Sequence, residues 1–392
     1  MKFTASNSIF ALLSMIAMHI LRDIQDQIQK NLFKGKVIII YGARRVGKTT
    51  LVKQILKAYP KGKYINCELL QNKTALETTN SENLKNIIGN HKLVVLDEAQ
   101  SIRNIGLVLK IIVDTFPVTQ IIATGSSSFD LASEISEPLT GRMRKYTLYP
   151  FSYNEIARMY SLADLKAQIE GYLRFGLYPE VYDKNEEDSI EELNELASNY
   201  LYKDVLQYQN IKKPNLIIDL LRALALQLGS EVSLHELAIL LKQNSHTVLR
   251  YIELLEKSFV IFRLRAFSRN LRNEISKTQK IYFFDLGIRN SLIQNFNPVA
   301  LRNDTGGLWE NFCILERMKY LENNRKFVNN YFWRTYNQQE IDYIEEYGGM
   351  LHAFEFKYAT NKKVTIPKAF SSSYPEHSFT LITPDNFHQL FN

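Results

Sequence analysis

Apolar and polar positions along this chain follow two alternating periods over the first 160 residues. Short continuous apolar runs at 36–41, 63–67, 91–97 and 118–124 predict strands buried on both faces. Between them, 50–59, 81–88 and 105–116 carry apolar residues at helical spacing, and Gly89 closes the second of these helices. Strands alternating with helices imply an α/β fold with a parallel sheet covered on both faces, and a ligand at the carboxyl ends of the strands.

Further along, the pattern changes. Residues 151 to about 213 read as mainly helical, with a break at Phe175-Gly176-Leu177-Tyr178-Pro179. Three helices follow at 216–228, 233–242 and 245–257, the second opened by Ser233 and Glu236 as a capping box, and then a strand at 260–267. That order predicts a winged helix-turn-helix. The remaining residues switch to an α+β pattern with strands near 331–335, 341–345 and 351–358.

The loop after the first strand carries chemistry. Gly42-Ala43-Arg44-Arg45-Val46-Gly47-Lys48-Thr49 has the P-loop spacing, whose glycines let successive backbone N–H groups face a phosphate at the start of a helix. The segment Gly42 to Thr50 is therefore the expected ATP-binding loop, with Lys48 on the β/γ-phosphates and Thr49 on Mg²⁺. Leu93-Val94-Val95-Leu96-Asp97-Glu98 delivers two acids to the same end of the sheet: Asp97 for Mg²⁺, and Glu98 to orient and deprotonate the attacking water. Ser126, in Thr124-Gly125-Ser126-Ser127, is placed to sense the γ-phosphate, or only to make a Gly-Ser turn. Arg142 and Arg144 are candidate arginine fingers, or solvated basic residues. Arg44 and Arg45 would contact phosphate or another subunit of a homo-oligomer.

A second constellation lies near the C-terminus. Glu340-Ile341-Asp342 and Ala353-Phe354-Glu355-Phe356-Lys357 flank Gly348-Gly349 as the strands of a hairpin. Asp342 and Glu355 would hold Mg²⁺ or Mn²⁺, and Lys357 would position a water or stabilise a phosphorane. This set resembles the D…E-x-K core of restriction-type nucleases, with Glu310 on the preceding helix matching the extra acid of that fold. Such folds can outlast their activity, so cleavage is left open.

Composition and charge narrow the class. Of 392 residues, 45% are hydrophobic and 23% charged, which excludes wholesale disorder. The net charge of +7 leans towards anionic partners. Arg263, Arg265, Arg269, Arg272, Lys277 and Lys280 face only Glu274 between 260 and 280, whereas 183–195 is acidic and reads as a solvated helix face or linker. Asn244-Ser245-His246-Thr247 and Arg250 would open a recognition helix beside that basic segment, pointing to DNA, with RNA open. Cys67 and Cys313 alone exclude a disulfide framework and fit a reducing cytosol. Ile9 to Leu21 is apolar but too short to span a bilayer, so a cytoplasmic protein without membrane contact is expected. Met15 and Met18 are alternative starts.

Gly-Ala-Arg-Arg-Val-Gly-Lys-Thr-Thr, Val-Leu-Asp-Glu-Ala-Gln, Thr-Gly-Ser-Ser-Ser and Leu-Thr-Gly-Arg…Leu-Tyr-Pro-Phe-Ser resemble the prokaryotic AAA-type ATPases that carry a C-terminal domain of unknown function. The likeness continues through Lys280 to Gly287 and Trp309-Glu310-Asn311, from about Met18 onward. It implies an extension at 1–17, an ATPase core at 18–160, a helical lid or linker at 161–213, a winged helix at 214–275 and a restriction-endonuclease-like domain at 276–392. Two functions follow: an ATPase that engages nucleic acid, or an ATP-gated switch whose last two domains bind proteins.

Overall fold

A computed structural model describes residues 20–126, 138–200, 214–268, 279–335, 337–359 and 364–391. The expected extension at 1–17, Met15, Met18, Ser127, Arg269, Arg272, Glu274 and Lys277 lie outside the described residues.

The first unit runs α1 (Asp23–Lys30), β1 (Val37–Tyr41), α2 (Lys48–Lys57), β2 (Lys63–Asn66), α3 (Leu70–Leu76), α4 (Ser81–Ile88), β3 (Leu93–Asp97), α5 (Ile105–Thr115), β4 (Gln120–Gly125) and β5 (Met143–Thr147). Its strands form a parallel sheet ordered β2-β3-β4-β1-β5. Alternation assigns the faces: Ile38 and Ile40 of β1 join one core with Leu93 and Val95 of β3, while Val37, Ile39 and Tyr41 join the other with Val94 and Leu96. Two elements stand outside the expected set. Strand β5 is half-exposed at the sheet edge and so lacks an apolar run, and α3 buries only Leu76.

The order places β4 between β1 and β3, so the end of β4 separates the P-loop from the end of β3. This spacing positions the nucleotide site.

The rest of the chain comprises α6 (Tyr153–Ala157), α7 (Leu162–Phe175), α8 (Glu186–Tyr200), α9 (Pro214–Leu226), β6 (Glu231–Val232), α10 (Leu234–Leu240), α11 (Ser245–Lys257), β7 (Ile261–Ala266), β8 (Gln279–Phe283) and α12 (Leu286–Leu292). It continues with α13 (Thr305–Asn323), β9 (Asn329–Arg334), β10 (Glu340–Tyr347), β11 (Met350–Phe356), α14 (Lys368–Ser373) and β12 (His377–Ile382). Helix α6 opens on a capping box, in which the Ser152 side chain accepts from the Glu155 N–H and Glu155 accepts from the Ser152 N–H. Gly348 and Gly349, at φ 60° and 80°, close the β10–β11 hairpin in a two-residue turn that needs left-handed backbone at both positions.

Among the described residues, the seven later strands form one sheet, ordered β12-β11-β10-β9-β7-β8-β6. Strand β8 pairs antiparallel with both β7 and β6, and β9 lies parallel to β7 with Arg265 opposite Tyr331. The boundary expected between residues 275 and 276 thus falls within one hairpin. The sheet runs unbroken across the two expected domains.

The break at 175–179 also has a tertiary cause. A Cβ on Gly176, at φ 71°, would lie 2.2 Å from Asp285 Oδ1. Asp285 accepts from the Leu177 N–H at 2.8 Å and caps α12 through the Ile288 N–H at 3.1 Å. Burial pushes its carboxyl up to about 6 against those hydrogen bonds.

Candidate nucleotide site and C-terminal acidic cluster

Strand β1 ends at Tyr41 and the P-loop turns back at once. Gly42 lies so close to the chain after β5 that a Cβ would sit 2.1 Å from the Leu148 carbonyl oxygen. Gly47, at φ 95°, then ends the loop, and Lys48 opens α2. Ala43 and Val46 are buried, Arg44 is half-buried, and Thr50 faces outward. Lys48 is buried and its Nζ donates to the Gly42 and Ala43 carbonyls at 3.0 and 2.8 Å, crossing the mouth of the loop.

Asp97 is the hub of the site. Thr49 Oγ1 and Tyr64 Oη donate to its Oδ2 at 2.7 and 2.5 Å, and Thr124 Oγ1 donates to its Oδ1 at 2.5 Å. A hydroxyl and a carboxylate at this spacing are hard oxygen donors that fit Mg²⁺. Glu98 follows in left-handed backbone, φ 55°. Its N–H donates to Thr124 Oγ1 at 3.1 Å and its Oε2 accepts from Gln100 at 2.5 Å. Ser126 is buried just past the end of β4. Lys48, Thr49, Asp97, Glu98 and Ser126 are therefore brought to one end of the sheet.

The arginines are placed elsewhere. Arg142 precedes β5, its carbonyl accepts from the Val37 N–H at the start of β1, and its side chain pairs with Asp114 at 2.7 Å. It lies at the opposite end of the sheet from the P-loop, about 15 Å away by strand rise. Arg142 thus cannot reach a nucleotide bound by its own chain. Arg144 sits mid-strand opposite Ile38. Arg45 points away from the loop to Glu180 at 2.9 Å and to Glu192 of α8 at 3.2 Å, so the acidic run is not simply solvated.

One residue of this site has no motif. Arg22 is buried before α1, donating to the Val46 carbonyl at 2.8 Å, the Tyr149 carbonyl at 2.5 Å and Glu155 Oε1 at 3.1 Å.

Residues 34–157 match the family model described as "AAA domain". The core is a P-loop ATPase domain of the AAA type. Residues 166–299 and 305–389 match two further models, each described as a domain of unknown function, DUF8612 and DUF4143. The chain is 27% identical to an uncharacterised protein of Mycobacterium tuberculosis over 88% of its own length and 75% of that protein's. It is 28% identical to another of Methanocaldococcus jannaschii over 82% and 74%. It is also similar to a solved Walker-type ATPase of Pyrococcus abyssi, at 18% identity and a TM-score of 0.46, over 69% of this chain and 95% of that one.

The C-terminal residues do gather, but with Glu340 in the place expected for Glu355. Glu310 of α13 and Glu340 and Asp342 of β10 each bring a carboxylate oxygen within 4.8 Å of the others. Glu355 is bound by Lys357 at 2.6 Å, and Lys357, 3.6 Å from Asp342, links it to that group. Lys280 of β8 enters the cluster itself, with Nζ 2.8 Å from Glu310 Oε1 and in an ion pair with Glu340. Tyr282, two residues on, donates to Glu310 Oε1 at 2.5 Å, and the Phe356 N–H donates to Asp342 at 2.8 Å. Burial and then the Asp342 charge push the Glu310 carboxyl up to about 7. Burial also raises Asp342 and Glu355. Burial works against the charge on Lys280, but Glu310, Glu340 and Asp342 outweigh it and hold the ammonium protonated.

The Mg²⁺ or Mn²⁺ expected at Asp342, Glu355 and Glu310 would therefore have to share these acids with Lys280 and Lys357, which already bring two positive charges to four carboxylates. The basic segment is also changed. Lys280 is buried, Arg263 is bound to Glu256 at 2.9 Å, and among the described residues Arg265 remains exposed. Asn244 accepts from the Thr247 N–H at 2.7 Å as the cap of α11, while His246 and Arg250 face outward.

Proposed function

We propose that this protein is a Mg²⁺-dependent ATPase whose nucleotide state controls engagement of nucleic acid. The convergence of Lys48, Thr49, Asp97 and Glu98 at one end of the parallel sheet carries the reading. On binding ATP, Lys48 exchanges the loop carbonyls for the β/γ-phosphates, and the backbone N–H groups from Gly42 to Thr50 hold the remaining phosphate oxygens. Thr49 and Asp97 would hold Mg²⁺, which supplies charge neutralisation on the phosphates. Glu98 would accept the proton of the attacking water, and Ser126, buried just past the end of β4, would sense the γ-phosphate. In a homo-oligomer, Arg142 would act on a neighbour's nucleotide.

For the output, α9, β6, α10, α11, β7 and β8 come in the order of a winged helix-turn-helix, with β8 between β6 and β7. His246, Arg250 and Arg265 are its exposed candidates for phosphate contact. Glu310, Asp342, Glu355 and Lys357 support a restriction-endonuclease-like fold for the last part of the chain. A protein partner is the second reading, favoured by Ile239 and Leu240 at the end of α10, which are 65% and 62% exposed.

The test is ATP hydrolysis by wild type and Lys48→Ala, combined with duplex binding at several salt concentrations. The reading requires turnover that Lys48→Ala abolishes and nucleotide-dependent duplex binding that weakens in Arg250→Glu/Arg265→Glu. Binding unaffected by nucleotide, salt and both charge reversals would sink it.

A further inference from the structure

We propose that Lys280 is the resident cation of the C-terminal acidic cluster, and that the cluster takes no divalent metal ion. The side chain comes from β8, a strand of the 214–283 segment, and reaches between acids contributed by α13 and β10. Only 1% of Lys280 is exposed, so its charge has no water to retreat to. Its ammonium is held on three sides: Glu310, Glu340 and the ring face of Phe332, whose centroid is 5.4 Å away.

A divalent ion bridging Glu310, Glu340 and Asp342 would have to sit among oxygens that all lie within 4.8 Å of one another. That is the space Lys280 Nζ serves. A second cation there would repel the Lys280 ammonium at short range in a buried site, and would compete with it for the same Glu310 and Glu340 oxygens. Lys357 pairs with Glu355 at 2.6 Å and lies 3.6 Å from Asp342, so four carboxylates face two ammonium groups. The arrangement also binds the two halves of the seven-stranded sheet together, because Lys280 is supplied by one and the acids by the other.

Full-length, nucleotide-free protein should be titrated with Mn²⁺ and followed by electron paramagnetic resonance and thermal melting, in wild type, Asp342→Asn, Lys280→Met and Lys280→Arg. Wild type and Lys280→Arg should show no bound Mn²⁺ that Asp342→Asn removes. Lys280→Met should gain one Mn²⁺ site, at least about ten-fold tighter than any wild-type binding. That site should vanish in Lys280→Met/Asp342→Asn, and Mn²⁺ should raise the melting temperature of Lys280→Met but not of wild type. A wild-type Mn²⁺ site lost in Asp342→Asn overturns the proposal, as does a folded Lys280→Met protein that gains none. If Lys280→Met does not fold, the comparison of wild type with Asp342→Asn still decides.

Discussion

Arg22 holds the Val46 carbonyl at 2.8 Å, so a side chain lying before the first helix fixes the last turn of the P-loop. The same guanidinium meets Glu155, which is 2% exposed and otherwise held by the Ser152 and Asp23 N–H groups. Arg22→Met should destabilise the fold by about 3 kcal/mol, the lower end for a broken buried pair, because those N–H donors remain. Chemical denaturation would measure it; a change within error would show that the pair adds nothing to the loop's support.

Lys48→Ala and Glu98→Gln should separate two functions. The first removes phosphate neutralisation, and nucleotide binding by calorimetry should be lost. The second leaves binding intact and slows turnover by at least about 100-fold, since the water loses its base. Equal loss of binding in both would place Glu98 outside the chemistry.

Gly42→Ala puts a methyl group where the Leu148 carbonyl stands, at 2.1 Å, and backbone cannot step aside as a side chain can. Nucleotide affinity should fall sharply while the far-ultraviolet dichroism stays native.

Asp285 gives stability a pH dependence of defined sign. Its carboxyl sits near 3.8 when unfolded and about 6 when folded, so the folded state holds the extra proton. Its contribution is full below about pH 4 and falls as pH rises to about 6, by about 3 kcal/mol in all. Asp285→Asn should flatten that slope in denaturant titrations across pH 4–7. Asp304, held down to about 2 by hydrogen bonds from Arg302 and Arg289 against its burial, acts in reverse: its contribution is present above about pH 4 and lost as pH falls towards 2.

Expression of residues 276–392 alone should give an aggregating, dye-binding product, because β8 would lose both β6 and β7, and β9 would lose β7. A dispersed amide spectrum from that fragment would show that the sheet is separable.

The candidate nucleotide site is legible in the sequence because its residues are consecutive or end a buried strand. Arg22 is not, since its partners Val46, Tyr149 and Glu155 are distant in sequence and a lone arginine has no periodicity. Glu340 carries a signal in its spacing: two residues before Asp342 on a strand, it shares the same face. Lys280 looked like one more base in a charged run, although it alternates with Ile281 and Phe283 in a strand that buries almost every side chain. The division expected at 275/276 falls between β7 and β8, paired strands with 12 residues between them. Local pattern cannot reveal which edge a strand will find.

The parallel pairing of β7 with β9 also fixes an order of events at the ribosome. Arg265 meets Tyr331 only after 66 further residues have been made, roughly 3–13 s of synthesis. Until then β7 offers one unpaired edge to any other chain nearby. The charge of Arg265, exposed on that strand, is the kind of guard nascent sheets use against mispairing.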